Sequence, residues 1–283
     1  MRHKYLTEKN GELWLTEDER NSYMVGYRIK DVLFEEQSPF QHVMVLDSYA
    51  FGPMLVLDGI VQTTSLDGHI YNEMISHVPI SFHPNPKKVL IIGGGDCGAA
   101  KEVCKYDDIV EIDMVEIDEV VVRACKEHLP AVSGRLSDER VNFIFEDGVK
   151  FVKDKVNEYD IIIVDSSDPI GPAEVLFEQK FYENLYKALK DDGLMVCQSG
   201  SPLFQEDVNK QTFERMKRVF PYTKMYMAVV PTYPGGFWTF TLGSKKYTEY
   251  NTEKVKDKTT YYVNEDIIKG CFAIPTSFAN RLK

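Results

Sequence analysis

The chain has 283 residues, 43% hydrophobic and 27% charged, the balance of an ordinary globular protein with enough chain to bury one or two cores. A formal net charge of −11 argues against nucleic acid as a partner, because phosphates require a basic surface, whereas an acidic field attracts small cations. No apolar run approaches membrane-spanning length, and the opening "MRHKYLTEKNGELWLTEDER" has no apolar signal core. The five cysteines lack metal spacing, so a cytoplasmic protein with reduced thiols and no membrane partner is expected.

From about residue 12 to 65 the chain reads as short strands: "LWLTE", "YMVGYRI", "KDVLFEEQ", "QHVMVLDSY" and "GPMLVLDGIVQTT". Asn-Gly, Phe-Gly-Pro and Asp-Gly turns separate several of them, predicting a small antiparallel β unit. "GHIYNEMISHVPISFHPN" then has helical spacing and stops at the prolines of "HPNP". After Lys87 near-continuous apolar strands alternate with amphipathic helices, predicting a parallel sheet covered on both faces. "TKMYMAVVPTY" and "GGFWTFTLGSK" sit too close for a parallel return, so they predict a terminal antiparallel hairpin. The fold class expected is α/β: a Rossmann-like sheet of the methyltransferase type with that hairpin, preceded by a small antiparallel β domain. The expected boundaries are 1–70 for the β-strand domain and 71–283 for the Rossmann-like domain. Residues 246–283 are too irregular to assign.

Open α/β sheets bind ligands beyond the carboxyl ends of their strands, so the residues following each strand are the candidates. "GGGDCG", Gly93 to Gly98, matches GxGxxG and lets backbone approach a nucleotide-like ligand; its bland alternative is a tight strand–helix turn. Asp96 inside this loop would repel a pyrophosphate, or the carboxylate of S-adenosylmethionine, and favours a ligand bearing an ammonium there. Glu116 ends the second strand, where an acidic residue accepts hydrogen bonds from ribose hydroxyls. Asp118 reads as a helix cap. Asp147-Gly148 ends the third strand, either as a helix cap or as an acceptor for an adenine amine with room for the ring. Asp165 and Asp168, in "YDIIIVDSSDPIGP", end the fourth. Carboxylates gathered without an internal cation raise one another's pKa until a cation joins them, which fits a di- or polyamine.

"LDGIVQTT", "YNEM", "VLIIGGGDCG", "MVEID", "DSSDPIGPAEVLF" and "PTYPGGFWTF" together resemble the spermidine synthases, the polyamine aminopropyltransferases, in unbroken order from about residue 10 to 245. The resemblance implies homodimers or homotetramers and transfer of an aminopropyl group from decarboxylated S-adenosylmethionine to an amine, commonly putrescine, with release of 5′-methylthioadenosine. It implies Asp165 as the general base. It implies Gln41, Asp96, Glu116, Asp147, Gly148 and Pro172 for the donor nucleoside, with Asp96 on the aminopropyl ammonium. Gln62, Tyr71, Asn72 and Tyr233 would line the acceptor side with Asp96, Asp165 and Asp168; Tyr71 and Tyr233 could equally be core aromatics. Ser166 to about Leu176 would form a gate. No metal or resident cofactor is implied, and His69 and His77 read as surface or core histidines.

Cys97 stands where the family usually has glycine, Gly68-His69 where it has Glu-Phe, and Asn72 where it often has histidine or glutamine. These departures leave putrescine, cadaverine, agmatine or a longer amine open as acceptors. Two further readings are an amine N-methyltransferase using intact S-adenosylmethionine, which Asp96 opposes, and a non-catalytic polyamine or nucleoside sensor. A dehydrogenase is opposed by Asp96 and the final hairpin.

Overall fold

A computed structural model of the protein describes residues 3–19, 21, 23–166 and 178–282. In chain order the elements are β1 (Leu6–Lys9), β2 (Glu12–Glu19), β3 (Tyr23–Gln37), β4 (His42–Ser48), β5 (Gly52–Leu57), β6 (Ile60–Thr64) and α1 (Gly68–Phe82). Then follow β7 (Lys88–Gly93), α2 (Gly98–Val103), β8 (Glu111–Val115), α3 (Glu119–His128), α4 (Pro130–Ser133), β9 (Val141–Ile144), α5 (Gly148–Lys153) and β10 (Tyr159–Asp165). The series closes with α6 (Gln179–Ala188), β11 (Leu189–Gln198), α7 (Glu206–Val219), β12 (Tyr222–Val229), β13 (Phe237–Ser244), α8 (Glu253–Lys256), α9 (Glu265–Gly270) and α10 (Thr276–Ala279). The chain divides into two units: Met1–His69 with Gly95–Gly98 and Asp118–Leu136, and Ile70–Gly94 with Ala99–Ile117 and Ser137–Lys283.

In the first unit β1 to β6 form a six-stranded antiparallel meander in chain order. Asn10 and Gly11, and Asp58 and Gly59, all take positive φ, the mirror-image hairpin geometry that Asn-Gly and Asp-Gly favour. "YMVGYRI" and "KDVLFEEQ" are one strand, not two. β3 runs 15 residues through Lys30 without a turn, and register shifts at Ile29/Asp31 and Val32/Phe34 bend it instead. One face of the sheet buries Leu15, Tyr27, Ile29, Met44, Leu46, Met54, Val56 and Val61. On the other face Val43, Val45 and Leu55 pack against Val121, Ala124, Cys125, Leu129 and Val132 of the α3–α4 segment. Coverage on both faces is why β4 and β5 read as nearly continuous apolar runs.

The second unit holds a seven-stranded sheet in the order β12-β13-β11-β10-β7-β8-β9. The five strands from β11 to β9 pair in parallel, and β13 pairs antiparallel with both β11 and β12. Ile162, Val164, Leu90 and Ile92 are buried against Phe181, Tyr182 and Leu185 of α6 and Met216 of α7. The terminal hairpin is thus as its spacing predicts, although its strands stop at Val229 and resume at Phe237. Helix α1 ends at Phe82, before "HPNP", and contains Pro79.

Several of the bonds that fasten the tail, which sequence patterning leaves unassigned, end on backbone groups. Asn251 N–H donates to Ser81 O (2.8 Å), Lys254 Nζ to His83 O (2.5 Å), and Met227 N–H of β12 to Cys271 O (3.1 Å). Backbone groups attract no periodic side-chain pattern, which is why this docking is silent in the sequence.

The α2–β8 connection is clamped by Arg140, whose guanidinium donates to the carbonyls of Cys104, Tyr106 and Ile109 and to both carboxylate oxygens of Asp138. That pairing, together with the Arg140 backbone N–H, holds the Asp138 carboxyl well below its ordinary value of 3.8. A depressed folded pKa contributes stability above the unfolded value, and that contribution is lost as pH falls through the folded one. Asp138→Asn should therefore lower unfolding free energy at pH 7 by about 1 kcal/mol. In urea titrations the gap from wild type should narrow as pH falls below about 4; a gap independent of pH would contradict this.

Candidate active site

Strand register sets the geometry of the second unit's functional edge. Gly93 pairs with Asp165, Ile92 with both Val164 and Val115, and Val115 with Ile144. Adjacent parallel strands lie about 4.8 Å apart, so Glu116, two strands from Asp165, is about 10 Å along the edge, and the residues following β9 about 14 Å. That span suits a nucleoside lying across the strand ends, with a chain extending toward Asp165.

At the centre, Gly94 N–H donates to the Asp165 carbonyl at 2.8 Å. Gly93 has φ 83° and Gly94 φ 70°. A Cβ on Gly93 would overlap the Asp165 carbonyl oxygen, and one on Gly94 would lie 3.2 Å from Asp165 Oδ2. The Tyr71 hydroxyl donates to Asp165 Oδ1 at 2.7 Å. Tyr71 is buried, and its ring meets Tyr233 edge-on at 5.7 Å and Phe240 at 5.3 Å. Tyr233 in turn packs on Trp238 at 4.5 Å. Tyr71 is therefore a core aromatic and the partner of the acid at once. Asn72 follows it on α1 and is 1% exposed.

Glu116 is half-buried, its N–H bonded to Ile144 O at 3.0 Å. Asp147 caps α5, its Oδ1 accepting from Val149 N–H (2.9 Å) and Lys150 N–H (3.4 Å). The space a Gly148 Cβ would need is filled by Ile92 of β7, so this glycine serves strand–helix packing. Asp168, Pro172 and nearly all of the expected gate lie outside the described residues.

In the first unit, Asp96 Oδ1 accepts from Gly98 N–H at 2.7 Å, which fixes the start of α2. Cys97 is fully buried with φ 65°, the left-handed region in which a non-glycine residue costs about 1–2 kcal/mol. Asp118 caps α3 through Val120 N–H (3.1 Å), and its Oδ2 accepts from Ser38 Oγ (2.7 Å) and Gln41 Nε2 (2.9 Å). The cap thus also orients Gln41. Gln62 lies on β6, its amide donating to Ile60 O at 3.2 Å. A Cβ on Gly68 would overlap Thr63 Oγ1, which accounts for glycine at this departure from the family pattern.

Gln198 was not among the residues singled out from sequence. It ends β11, donates to Ser166 O (3.2 Å) and accepts from Gly200 N–H (2.9 Å), holding the turn after Asp165. The strand-end rule, applied to "CQSG", points to it. Burial pushes the thiols of Cys104, Cys197 and Cys271 up to about 12, so at neutral pH they are protonated and not nucleophiles. His77 is buried, bonded to Tyr106 Oη (2.6 Å) and Glu102 (2.9 Å).

Among the described residues, His83, Asp160 and Asp192 approach metal-ligand spacing. His83 Nδ1 accepts from Asn85 N–H (3.3 Å), which leaves the ring proton on Nε2, 4.0 Å from Asp160 and 3.8 Å from Asp192. Asp160 is bonded to Lys190 and to two backbone N–H groups, and Asp192 to Tyr247. The trio reads as a structural polar cluster near the amino end of β10, away from Asp165.

A parallel sheet closed by an antiparallel hairpin, with acidic side chains at successive strand ends, is the α/β architecture of the methyltransferase type. Residues 68–254 match the family model described as the spermine/spermidine synthase domain, and residues 13–65 the spermidine synthase tetramerisation domain. A curated polyamine aminopropyltransferase of Caldicellulosiruptor saccharolyticus is 45% identical over 267 residues, covering 94% of this chain and 96% of that protein. One from Methanocaldococcus jannaschii is 44% identical, covering 94% and 93%. A crystal structure of a spermidine synthase in complex with the transition-state analogue AdoDATO superposes with TM-score 0.93 at 34% identity, covering 100% of this chain and 98% of the other. The spermidine synthase of Thermotoga maritima gives 0.90 at 33%, covering 100% and 97%. The chain belongs to the spermine/spermidine synthase family, and its activity is polyamine aminopropyl transfer.

The close approach of β7 to Asp165 has a measurable consequence. Gly93→Ala combines positive-φ strain with overlap onto a carbonyl and should destabilise the protein by at least about 2 kcal/mol. A urea midpoint equal to wild type would contradict that geometry.

Proposed function

We propose that the protein transfers the aminopropyl group of decarboxylated S-adenosylmethionine to putrescine, yielding spermidine and 5′-methylthioadenosine. The observation that carries this is the Asp165 carboxylate, backed by Gly94 and fixed by the Tyr71 hydroxyl at the end of β10. A sulfonium is already a good leaving group, so the enzyme's work is alignment and release of an amine lone pair. Deprotonating a primary alkylammonium of pKa near 10.4 at pH 7 costs about 4–5 kcal/mol. Asp165 takes that proton. The nitrogen lone pair then bonds to the carbon attached to sulfur. The C–S bond breaks, and its electron pair stays on sulfur as a neutral thioether.

Asp96 holds the donor's ammonium, Glu116 its ribose, Asp147 with Gly148 its adenine, and Gln41 and Pro172 the rest of the nucleoside. Gln62, Tyr71, Asn72, Asp168 and Tyr233 line the acceptor's path. Along the chain, a β-strand domain over 1–70 is followed by a catalytic domain over 71–283, from which Gly95–Gly98 and Asp118–Leu136 group with the first unit. The donor is a co-substrate, and the scheme uses no metal or resident cofactor. Exposed Met24, Val25, Leu33 and Ile60 on the N-terminal sheet, with the name of the family model matched there, support a homodimer or homotetramer. The five cysteines form no disulfide, which supports a cytoplasmic address, and among the described residues no helix is long and apolar enough to cross a membrane.

Steady-state assays of wild type and Asp165→Asn with putrescine, cadaverine and agmatine test this. Putrescine should give the highest kcat/KM. Asp165→Asn should lower kcat by about 10²–10⁴-fold, with the donor's Kd by calorimetry within about twofold of wild type. Preference for another amine would overturn the acceptor, and near-normal turnover in the variant would overturn the role of Asp165.

A further inference from the structure

The reaction scheme above leaves unused a carboxylate that is completely buried, that of Glu73 on α1. Its Oε1 accepts the N–H of Tyr261 at 2.8 Å, and its Oε2 accepts those of Tyr262 (2.9 Å) and Val263 (2.8 Å). Successive backbone donors converging on one anion form a cradle that satisfies a charge otherwise costly to bury. The gripped turn lies 188–190 residues downstream, beyond the 68–254 span that the synthase-domain model covers. Lys105 Nζ donates to Thr259 O (2.6 Å), Lys258 Nζ to Lys105 O (2.7 Å), and Thr260 Oγ1 to Val263 O (2.6 Å), so the turn is itself held in shape.

Residues two apart on a helix point to nearly opposite sides, about 200° apart. Tyr71 therefore faces Tyr233, Phe240 and Asp165, while Glu73 faces the tail. Further along α1 the tail attaches through Ser81 O, and just beyond its end through His83 O. In the first two turns, where Tyr71 and Asn72 sit, the attachment is the Glu73 carboxylate. Tyr226 Oη of β12 donates to Met74 O (3.0 Å) and seats the same stretch on the sheet. A helix held from both sides cannot slide or roll without breaking one set of bonds.

We infer that Glu73 is a positioning residue: by fastening Tyr261–Val263 to the first turns of α1, it keeps the Tyr71 hydroxyl on Asp165, and so makes the C-terminal turn part of the acceptor-side machinery. This rests on Asp165 being the amine's base. Misplacement by about 1 Å can cost 10²-fold in rate, so even a small tilt of α1 is felt at the reacting nitrogen.

Glu73→Gln keeps the size but turns an amide N–H₂ toward a backbone donor. It should lower kcat/KM for the amine about tenfold or more and leave donor Kd within about twofold. Amide hydrogen exchange at Tyr261–Val263 should accelerate about tenfold or more. In a Tyr71→Phe background, where the link to Asp165 is already cut, Glu73→Gln should add less than about twofold. Tyr262→Pro, which removes one of the donors and leaves α1 unaltered, should show the same split if Glu73→Gln does not fold. The same loss in the Tyr71→Phe background, or equal loss of donor binding, would overturn the inference. Unchanged exchange at 261–263 would overturn the strap alone, whereas failure of wild type to transfer an aminopropyl group would overturn the reading it rests on.

Discussion

The pairing of β7 with β10 places Gly93 opposite Asp165 so closely that Gly93 has no room for a side chain, and the functional edge is built around that approach. The Gly94 N–H to Asp165 carbonyl bond joins the glycine loop to the acid's own backbone. Gly94 and the backbone of Asp165 therefore cannot be displaced independently. From this junction the neighbouring strands β8, β9 and β11 set out Glu116, Asp147 and Gln198 at intervals fixed by sheet spacing. The specificity of such an edge is electrostatic as much as steric. It presents carboxylates, and the partners that satisfy them are ammonium groups and hydroxyls.

Much of this was legible in sequence for identifiable reasons. Buried parallel strands leave continuous apolar runs such as "VLIIG" and "IIIVD", and the residue after each run is the one displayed at the sheet's edge. The hairpin of β12 and β13 was readable because a short connection forbids a parallel return. The double role of Tyr71, packed on Phe240 yet donating to Asp165, could not be separated from a core aromatic by spacing alone. β3 misleads because bulges, which continue a strand through an irregular stretch, leave the same trace as a turn. Asp147 and Asp118 carry caps that any helix could use, and only geometry reveals that Asp118 also orients Gln41.

The C-terminal tail was illegible for a different reason. Its attachments run through carbonyls of Ser81 and His83, the carbonyl of Cys271 and the N–H groups of 261–263, and a backbone group at one end of each bond leaves no periodic side-chain pattern. Glu73, one residue beyond Asn72 in "YNEM", is the side chain through which that backbone reaches the first turns of α1. A motif read for its substrate-facing residues thus also contains the anchor that faces away from them.

The most direct test of the account is to supply purified protein with putrescine and an equimolar mixture of decarboxylated and intact S-adenosylmethionine, and to identify products by mass spectrometry. The account predicts spermidine and 5′-methylthioadenosine, drawn from the decarboxylated donor alone, because the role proposed for Asp96 is to hold an ammonium, where a carboxylate would be repelled. Methylated amine from the intact donor, or no transfer at all, would contradict it.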